Sequence, residues 1–296
     1  MNGVLCINKP TEYTSFDVIA RIRGMSKQKR VGHSGTLDPM ATGVLPIFIG
    51  TATKACDILS DDDKEYVAEF KLGVTTDTLD IMGKVKQEKA SFCKKQDILN
   101  LLPQFTGEIK QIPPMYSAVK INGQRLYDIA RQGIEIQREA KTVTVYSLNL
   151  LDFNEETQTG KLSIACSKGT YIRTIIDDIG ALLDVGAIMT SLCRTKACGF
   201  SIDDCITLDM AQELTNQGLL ESKLLQTEKL FKHLPAIKLD AKQQIMFING
   251  VKLELDRITG YPFENGMYRI YGSEFLGIAS PVDHELIQDK LFYIKG

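Results

Sequence analysis

Asp38 sits in a loop whose composition suits the rigid presentation of a side chain. The run from Gly32 to Pro39 has glycines at 32 and 35, which permit tight turns, and a proline that fixes the backbone directly after the aspartate. A carboxylate held in this way can act as a nucleophile or as a base. Capping a turn is a common role for aspartate before proline, and local spacing alone favours that interpretation.

Positive charge gathers in two stretches that contain no carboxylate. The first, residues 18–37, leads into Asp38, and the second, residues 161–173, ends at Arg173. The basic residues of the first stretch are Arg21, Arg23, Lys27, Lys29 and Arg30. Most such clusters are solvated faces, and the net charge of −2 gives no overall attraction to nucleic acid. Their position beside candidate site residues nevertheless favours binding of a polyanion.

The metal-ligating residue types are sparse and scattered. Seven cysteines include no Cys-x-x-Cys pair, and the three histidines, His33, His233 and His284, lie far apart in the chain. We therefore expect reduced cysteines and no metal. The N-terminus lacks a signal-peptide pattern and no apolar run reaches membrane-spanning length, so we expect a cytoplasmic protein without a membrane partner.

The elements that position these residues are mixed strands and helices without a regular βαβ alternation, which predicts an α+β fold with a mostly antiparallel sheet. The length of 296 residues suggests two domains, which we place at 1–230 and 233–296, the second small and β-rich. Strands are predicted at 4–7, 44–49, 66–72, 142–153, 161–166, 236–239, 251–255, 267–271, 275–279 and 291–294. Helices are predicted from residue 14 or 15 onward, at 51–59, 91–102, 125–131 and 171–183, and along a polar connector from 209 to about 232.

The run from Gly32 to Pro46 resembles the signature of the tRNA pseudouridine synthases, and more narrowly of the bacterial branch that modifies uridine 55 in the TΨC loop. Further matching segments follow in order at 3–10, 52–54, 114–120, 125–133 and 166–174. The resemblance covers roughly residues 1–210. One departure is that Cys193 stands between Leu192 and Arg194, where the family often has two successive basic residues after the leucine.

The resemblance implies a reaction that breaks the glycosidic bond of a uridine, rotates the base and rejoins it through carbon 5, with no cofactor. Asp38 matches the essential aspartate, which attacks ribose C1′ or C6 of the base, or removes a ribose proton; the sequence does not choose among these routes. Arg173 matches the arginine that pairs with this carboxylate, and Tyr66 the aromatic that stacks on uracil. Further substrate-binding residues are expected from the same match: His33 beside the flipped base, and Tyr171 and Leu192 in the pocket wall.

The resemblance also implies the partner, which is the TΨC arm of tRNA. Basic residues expected to face its phosphates are Lys9, Lys54, Lys120, Arg125 and Arg131. Residues 268–278 resemble part of a PUA domain, a small β-rich RNA-binding module. We expect a monomer with no obligatory protein partner.

Two other functions are weighed against this one. A non-catalytic tRNA-binding protein that helps tRNA fold would use the same basic surface with Asp38 as a turn cap, but binding alone would not require Asp38, Tyr66 and Arg173 together. A hydrolase with Asp38 as phosphoryl acceptor is weaker, because no Asp-x-Asp pair surrounds it.

Overall fold

The computed structural model describes residues 1–59, 63–117, 119–121, 123–130 and 132–294. In chain order the strands are β1 (Gly3–Lys9), β2 (Val31–His33), β3 (Thr42–Ile49), β4 (Lys64–Leu72), β5 (Val74–Thr76), β6 (Val85–Glu88), β7 (Gly107–Gln111), β8 (Lys120–Ile121), β9 (Gln124–Arg125), β10 (Lys141–Asn154), β11 (Thr159–Cys166), β12 (Ala187–Ala197), β13 (Phe200–Ser201), β14 (Ala236–Lys238), β15 (Leu253–Glu254), β16 (Tyr268–Tyr271), β17 (Phe275–Val282) and β18 (Glu285–Leu291). The α-helices are α1 (Ser15–Ser26), α2 (Lys95–Leu101), α3 (Leu126–Ala130), α4 (Ile172–Leu182), α5 (Leu208–Asn216) and α6 (Ala241–Ile248). Short 3-10 helices cover Gly50–Asp57, Leu102–Phe105, Ile202–Asp204, Leu220–Lys223, Thr227–Phe231 and Leu255–Arg257.

The large sheet runs in the order β1-β3-β12-β4-β11-β10-β7, with β2 on β3 and β13 on β12. Among the described strands of this sheet only β12 and β3 pair in parallel. The predicted α+β class with a mostly antiparallel sheet is confirmed. β1 and β3 are buried on both faces, because alternate side chains enter two different cores, and this explains the unbroken apolar run of β3.

The first core joins the large sheet to α1, α4 and α5, and includes Val18, Ile175 and Ala211. The second core lies on the opposite face of β1 and β3 and extends to Phe231 and Phe292. Because it also contains Ile278 of β17, the C-terminal sheet packs directly on the large sheet.

The C-terminal sheet has the order β14-β16-β17-β18-β15 and its own apolar core. Lys54 ties it to the body of the protein by donating from Nζ to the carbonyl of Leu291 at 2.9 Å. An ion pair of 2.9 Å between Lys290 and Asp57 lies at the same junction. The domain division at residues 230–233 stays a prediction.

Several predicted elements are wrong in extent or type. The helix predicted at 51–59 is a 3-10 helix over Gly50–Asp57, and the connector leaves the α-helix at Asn216 for two short 3-10 helices. The last strand ends at Leu291 instead of starting there. β12 and α6 were not predicted; β12 has two register shifts against β4, and such irregularities break the alternation by which strands are recognised.

Candidate active site

The loop that carries Asp38 joins β2 to β3 and is fastened to the start of α1. Ser15 accepts the backbone N–H of Leu37 at 2.9 Å through its hydroxyl oxygen, and the Leu37 side chain is buried. Beyond the aspartate, the carbonyl of Pro39 accepts the backbone N–H of Glu12 at 2.9 Å. Between these anchors the Asp38 side chain stays 42% exposed, so its carboxylate is held in place yet open to a substrate.

Arg173 lies in the first turn of α4 and pairs with Asp38, with 3.0 Å between Nη2 and Oδ2. The guanidinium is almost fully buried and donates to two backbone carbonyls, those of Thr78 and Tyr116, each at 2.9 Å. These bonds fix the planar fork, and with it the position of the Asp38 carboxylate. The pairing of these two residues was predicted, whereas the two carbonyls were not.

Asp80 is a buried second carboxylate that sequence reasoning missed. Its Oδ2 lies 3.6 Å from Nη1 of Arg173, whereas Asp38 pairs with Nη2. The hydroxyl of Thr78 and the backbone N–H of Met82 donate to Oδ1 at 2.6 and 3.0 Å. Asp80 therefore orients Arg173 through the Nη1 side of its guanidinium. Its place in a polar Thr/Asp segment gives no signal of this role.

Tyr66 stands on β4 opposite Arg194 of β12. Burial raises the pKa of Tyr66 to about 12, although a hydrogen bond from Arg194 opposes the shift, so the phenol keeps its proton at neutral pH. Arg194 is fully buried and donates from Nε to the carbonyl of Val44 at 2.8 Å and from Nη2 to that of Gly35 at 3.0 Å. Arg194 holds the loop between β2 and β3 and is too buried to reach a phosphate. The residues around Arg194, which include Thr195 and Lys196, give no local signal of this burial.

A pocket of about 510 Å³ opens at Asp38. The predicted catalytic and substrate-binding residues all line it: His33, Asp38, Tyr66, Tyr171, Arg173 and Leu192. These residues come from β2, the loop between β2 and β3, β4, the start of α4 and β12. The ion pair of Asp38 with Arg173 and the ring of Tyr66 line the same pocket, an arrangement that can hold a planar base against the ring and beside the carboxylate.

The remaining pocket residues differ in environment. His33 meets the ring of Phe16 edge-on with centroids 5.9 Å apart, and burial together with the charge of Arg194 lowers the pKa of its imidazole. Burial raises the pKa of Tyr171, whose backbone is held by the side-chain amide of Gln111. The Leu192 side chain is buried.

The prediction that Lys9 contacts a phosphate is wrong. Its side chain is fully buried, and Nζ donates to the carbonyls of Pro10, Tyr13 and Pro39 at 2.8, 2.6 and 3.1 Å. Lys9 thus holds chain segments together and presents no charge to solvent. Lys54 is half-buried at the junction with the C-terminal sheet. The side chains of Lys120 and Arg125, and all of Arg131, lie outside the described residues.

The described residues contain no cluster of three His, Cys, Asp or Glu with metal-binding geometry. The seven cysteines are all free thiols. Within the described parts of the chain, no helix has the length and apolarity needed to cross a membrane.

Comparison with known proteins gives the class of enzyme that this fold and pocket define, the pseudouridine synthases. The chain aligns with a solved structure described as "Crystal Structure of a Cbf5-Nop10-Gar1 Complex", with a TM-score of 0.75 and 25% identity over 98% of this chain and 85% of the other. Residues 23–172 match the TruB family pseudouridylate synthase (N terminal domain), and residues 173–234 match the tRNA pseudouridylate synthase B C-terminal domain.

Curated relatives agree over nearly the whole length. A tRNA pseudouridine synthase B of Clostridium kluyveri is 40% identical over 99% of this chain and 100% of its own. The protein of that name from Clostridium perfringens is 44% identical over 94% of both chains. One from Dehalococcoides mccartyi is 43% identical over 87% of this chain and 86% of its own. The chain belongs to the TruB family of pseudouridine synthases, and is an isomerase by class.

Proposed function

We propose that the protein converts uridine 55 in the TΨC loop of tRNA to pseudouridine, with Asp38 as the nucleophile. The observation that carries the proposal is the Asp38–Arg173 pair, 3.0 Å apart, in the wall of a pocket that Tyr66, Tyr171 and Leu192 also line. The reaction breaks the bond from C1′ to N1 and forms one from C1′ to C5. C5 loses its proton and N1 gains one, so no oxidant or reductant is needed.

Each part of the pocket then has a task. A uridine in a folded loop must be flipped out at a cost of a few kcal/mol, and stacking on Tyr66 offsets part of that cost. The guanidinium of Arg173, 3.0 Å from the Asp38 carboxylate, fixes that carboxylate beside the bound base. The Leu192 side chain packs against the base and helps to exclude water.

The proposal extends to the rest of the molecule. We assign residues 233–296 as a PUA-like RNA-binding domain, supported by the separate sheet and core of that region, and residues 1–230 as the catalytic domain. The protein acts in the cytoplasm as a monomer without an obligatory protein partner. Light scattering of the purified protein should give the chain mass of 33.0 kDa; a stable dimer would contradict the monomer.

The test is replacement of Asp38. Asp38→Asn and Asp38→Ala should bind an unmodified tRNA transcript with wild-type affinity and release no tritium from uridine labelled at carbon 5. Asp203→Asn, an exposed carboxylate away from the pocket, is the matched control. Tritium release by either Asp38 variant would refute the assignment. If the wild-type protein bound tRNA and refolded it without releasing tritium, the non-catalytic folding role would replace this one.

A further inference from the structure

Phe16 is an exposed aromatic at the rim of the pocket. It lies in the first turn of α1, its side chain is 64% exposed, and its ring meets that of His33, which lines the pocket. The core side of α1 is made by Val18, Ile22 and Met25, so the fold does not use Phe16 for packing. A large apolar ring left in water beside a substrate site is typical of a binding surface.

The face of α1 that begins with Phe16 continues as a basic strip. Residues 16, 20 and 23 share one face of α1 because they are spaced by four and three positions, and Lys27 follows as the C-cap, directly after the last residue of the helix. All four are exposed, and Arg23 and Lys27 supply the charge. At a rise of about 1.5 Å per residue, these cations lie about 10 and 16 Å along the axis from Phe16.

Asp17, the acidic residue of α1, does not directly neutralise the charge of Arg23 and Lys27. Asp17 is engaged in the capping box, where its Oδ2 accepts from the backbone N–H and the hydroxyl of Thr14 at 2.8 and 2.6 Å. No carboxylate follows on α1 after Asp17. The strip is therefore aromatic at the pocket and cationic beyond it.

We infer that this strip is an RNA-binding surface, on which Phe16 stacks against the unpaired loop base next to the flipped uridine and Arg23 and Lys27 face the phosphates of the strand that leads away. The inference rests on the proposed function, since it names where the same RNA lies. Aromatic rings stack on unpaired bases of any sequence, and phosphate contacts fix the path of the strand. His33 and Phe16 together fill the space that the flipped uridine leaves.

The experiment measures the affinity of the full chain for a fluorescent T-arm stem-loop RNA, in the Asp38→Asn background to prevent turnover. Phe16→Ala should weaken binding about 10-fold, and Phe16→Trp should restore it. Arg23→Ala with Lys27→Ala should reduce the slope of log Kd against log salt by about 1.4, as expected for two phosphates on a single strand.

Matched controls come from the other end of the sheet. Phe92 is 88% exposed and is followed by exposed Lys94 and Lys95. Ser91, the residue before Phe92, donates from its hydroxyl to Gln158, and the next residue, Thr159, pairs with Lys71 of β4. Lys71 is five residues along β4 from Tyr66, so this region lies about 16 Å from Tyr66. Phe92→Ala and the pair Lys94→Ala with Lys95→Ala should leave affinity and salt slope unchanged.

Abasic substitutions scanned through the RNA loop identify the stacked base. At one position flanking the target uridine, the abasic RNA and Phe16→Ala should not be additive, because each removes the same contact. Additive effects at every position, or wild-type affinity of the Phe16→Ala and Arg23/Lys27 variants, would overturn the inference and leave the proposed function standing. Failure of the unsubstituted Asp38 protein to modify tRNA would instead refute the proposed function.

Discussion

Asp80 offers the sharpest test of how Arg173 is held. In the variant Asp80→Asn the side chain keeps its shape and loses its charge, 3.6 Å from Nη1 of Arg173. At an effective dielectric constant near 20, two unit charges at that distance attract by about 4–5 kcal/mol. The Asn oxygen retains part of this attraction, and the carbonyls of Thr78 and Tyr116 still bind the guanidinium. We therefore expect a loss of about 2–3 kcal/mol of transition-state stabilisation, or roughly 30- to 150-fold in rate.

The assay is single-turnover tritium release at saturating tRNA, with the dissociation constant measured in parallel. The rate constant should fall while affinity stays within a few-fold, because Asp80 is buried behind Arg173 and does not line the pocket. Asp77→Asn is the control: its carboxylate is in the same hairpin and accepts from the backbone of Lys84 at 2.7 Å, without an ion pair to Arg173 in the described contacts. A rate for Asp80→Asn within three-fold of wild type, or equal losses in both variants, would refute the reasoning.

Three further perturbations follow from the same contacts. Gly43→Ala should lower the free energy of unfolding by more than about 2 kcal/mol in urea titrations, since its Cβ would lie 2.2 Å from the carbonyl oxygen of Arg194 at a φ of +102°; a neutral effect would mean that β3 and β12 separate easily. Arg194→Met should cost about 2–4 kcal/mol by the same measurement and slow turnover, because the carbonyls of Val44 and Gly35 lose their donor; unchanged stability would contradict the bracing role. Because the pKa of His33 is lowered in the folded protein, the unfolded chain binds more protons than the folded chain when the pH is just below the ordinary value of 6.5. The free energy of unfolding should therefore fall as the pH drops below 6.5, and it should fall less in His33→Asn. His233→Asn, at an exposed position, should show the wild-type pH dependence, and identical pH dependence in both variants would contradict the assignment to His33.

The sequence predicted the residues that line the pocket better than the residues that support them. Asp38 and Arg173 each stood in a segment that resembles the family, Tyr66 was expected from the same resemblance, and the structure brings all three to one pocket. Asp80 and Arg194 lacked such a signal, because their roles depend on hydrogen bonds to carbonyls and carboxylates from distant parts of the chain. Local pattern reports the type of a residue and the face of the element on which it lies, whereas these partners are set by the packing of β12 against β3 and β4.

Lys9 shows the same limit from the opposite side. A lysine at the end of a strand, before a proline turn, looks like a surface cation, and lysines are seldom fully buried. Here three carbonyls from residues 10, 13 and 39 converge on its ammonium. The third of these lies 30 positions away, so no local window contains the information that decides the burial.

Two buried cations brace the loop that presents Asp38, one on each side. Arg194 holds the carbonyl of Gly35, three residues before the aspartate, and Lys9 holds that of Pro39, directly after it. Burial lowers the pKa of Lys9 to about 8, and the charge of Asp38 acts against that shift, so the carboxylate helps to keep its own brace protonated. The positive field of Lys9, Arg194 and Arg173 converges on a single exposed carboxylate. Burying these cations costs desolvation in three places, and the hydrogen bonds to backbone carbonyls that offset this cost also fix the position of the loop that carries Asp38.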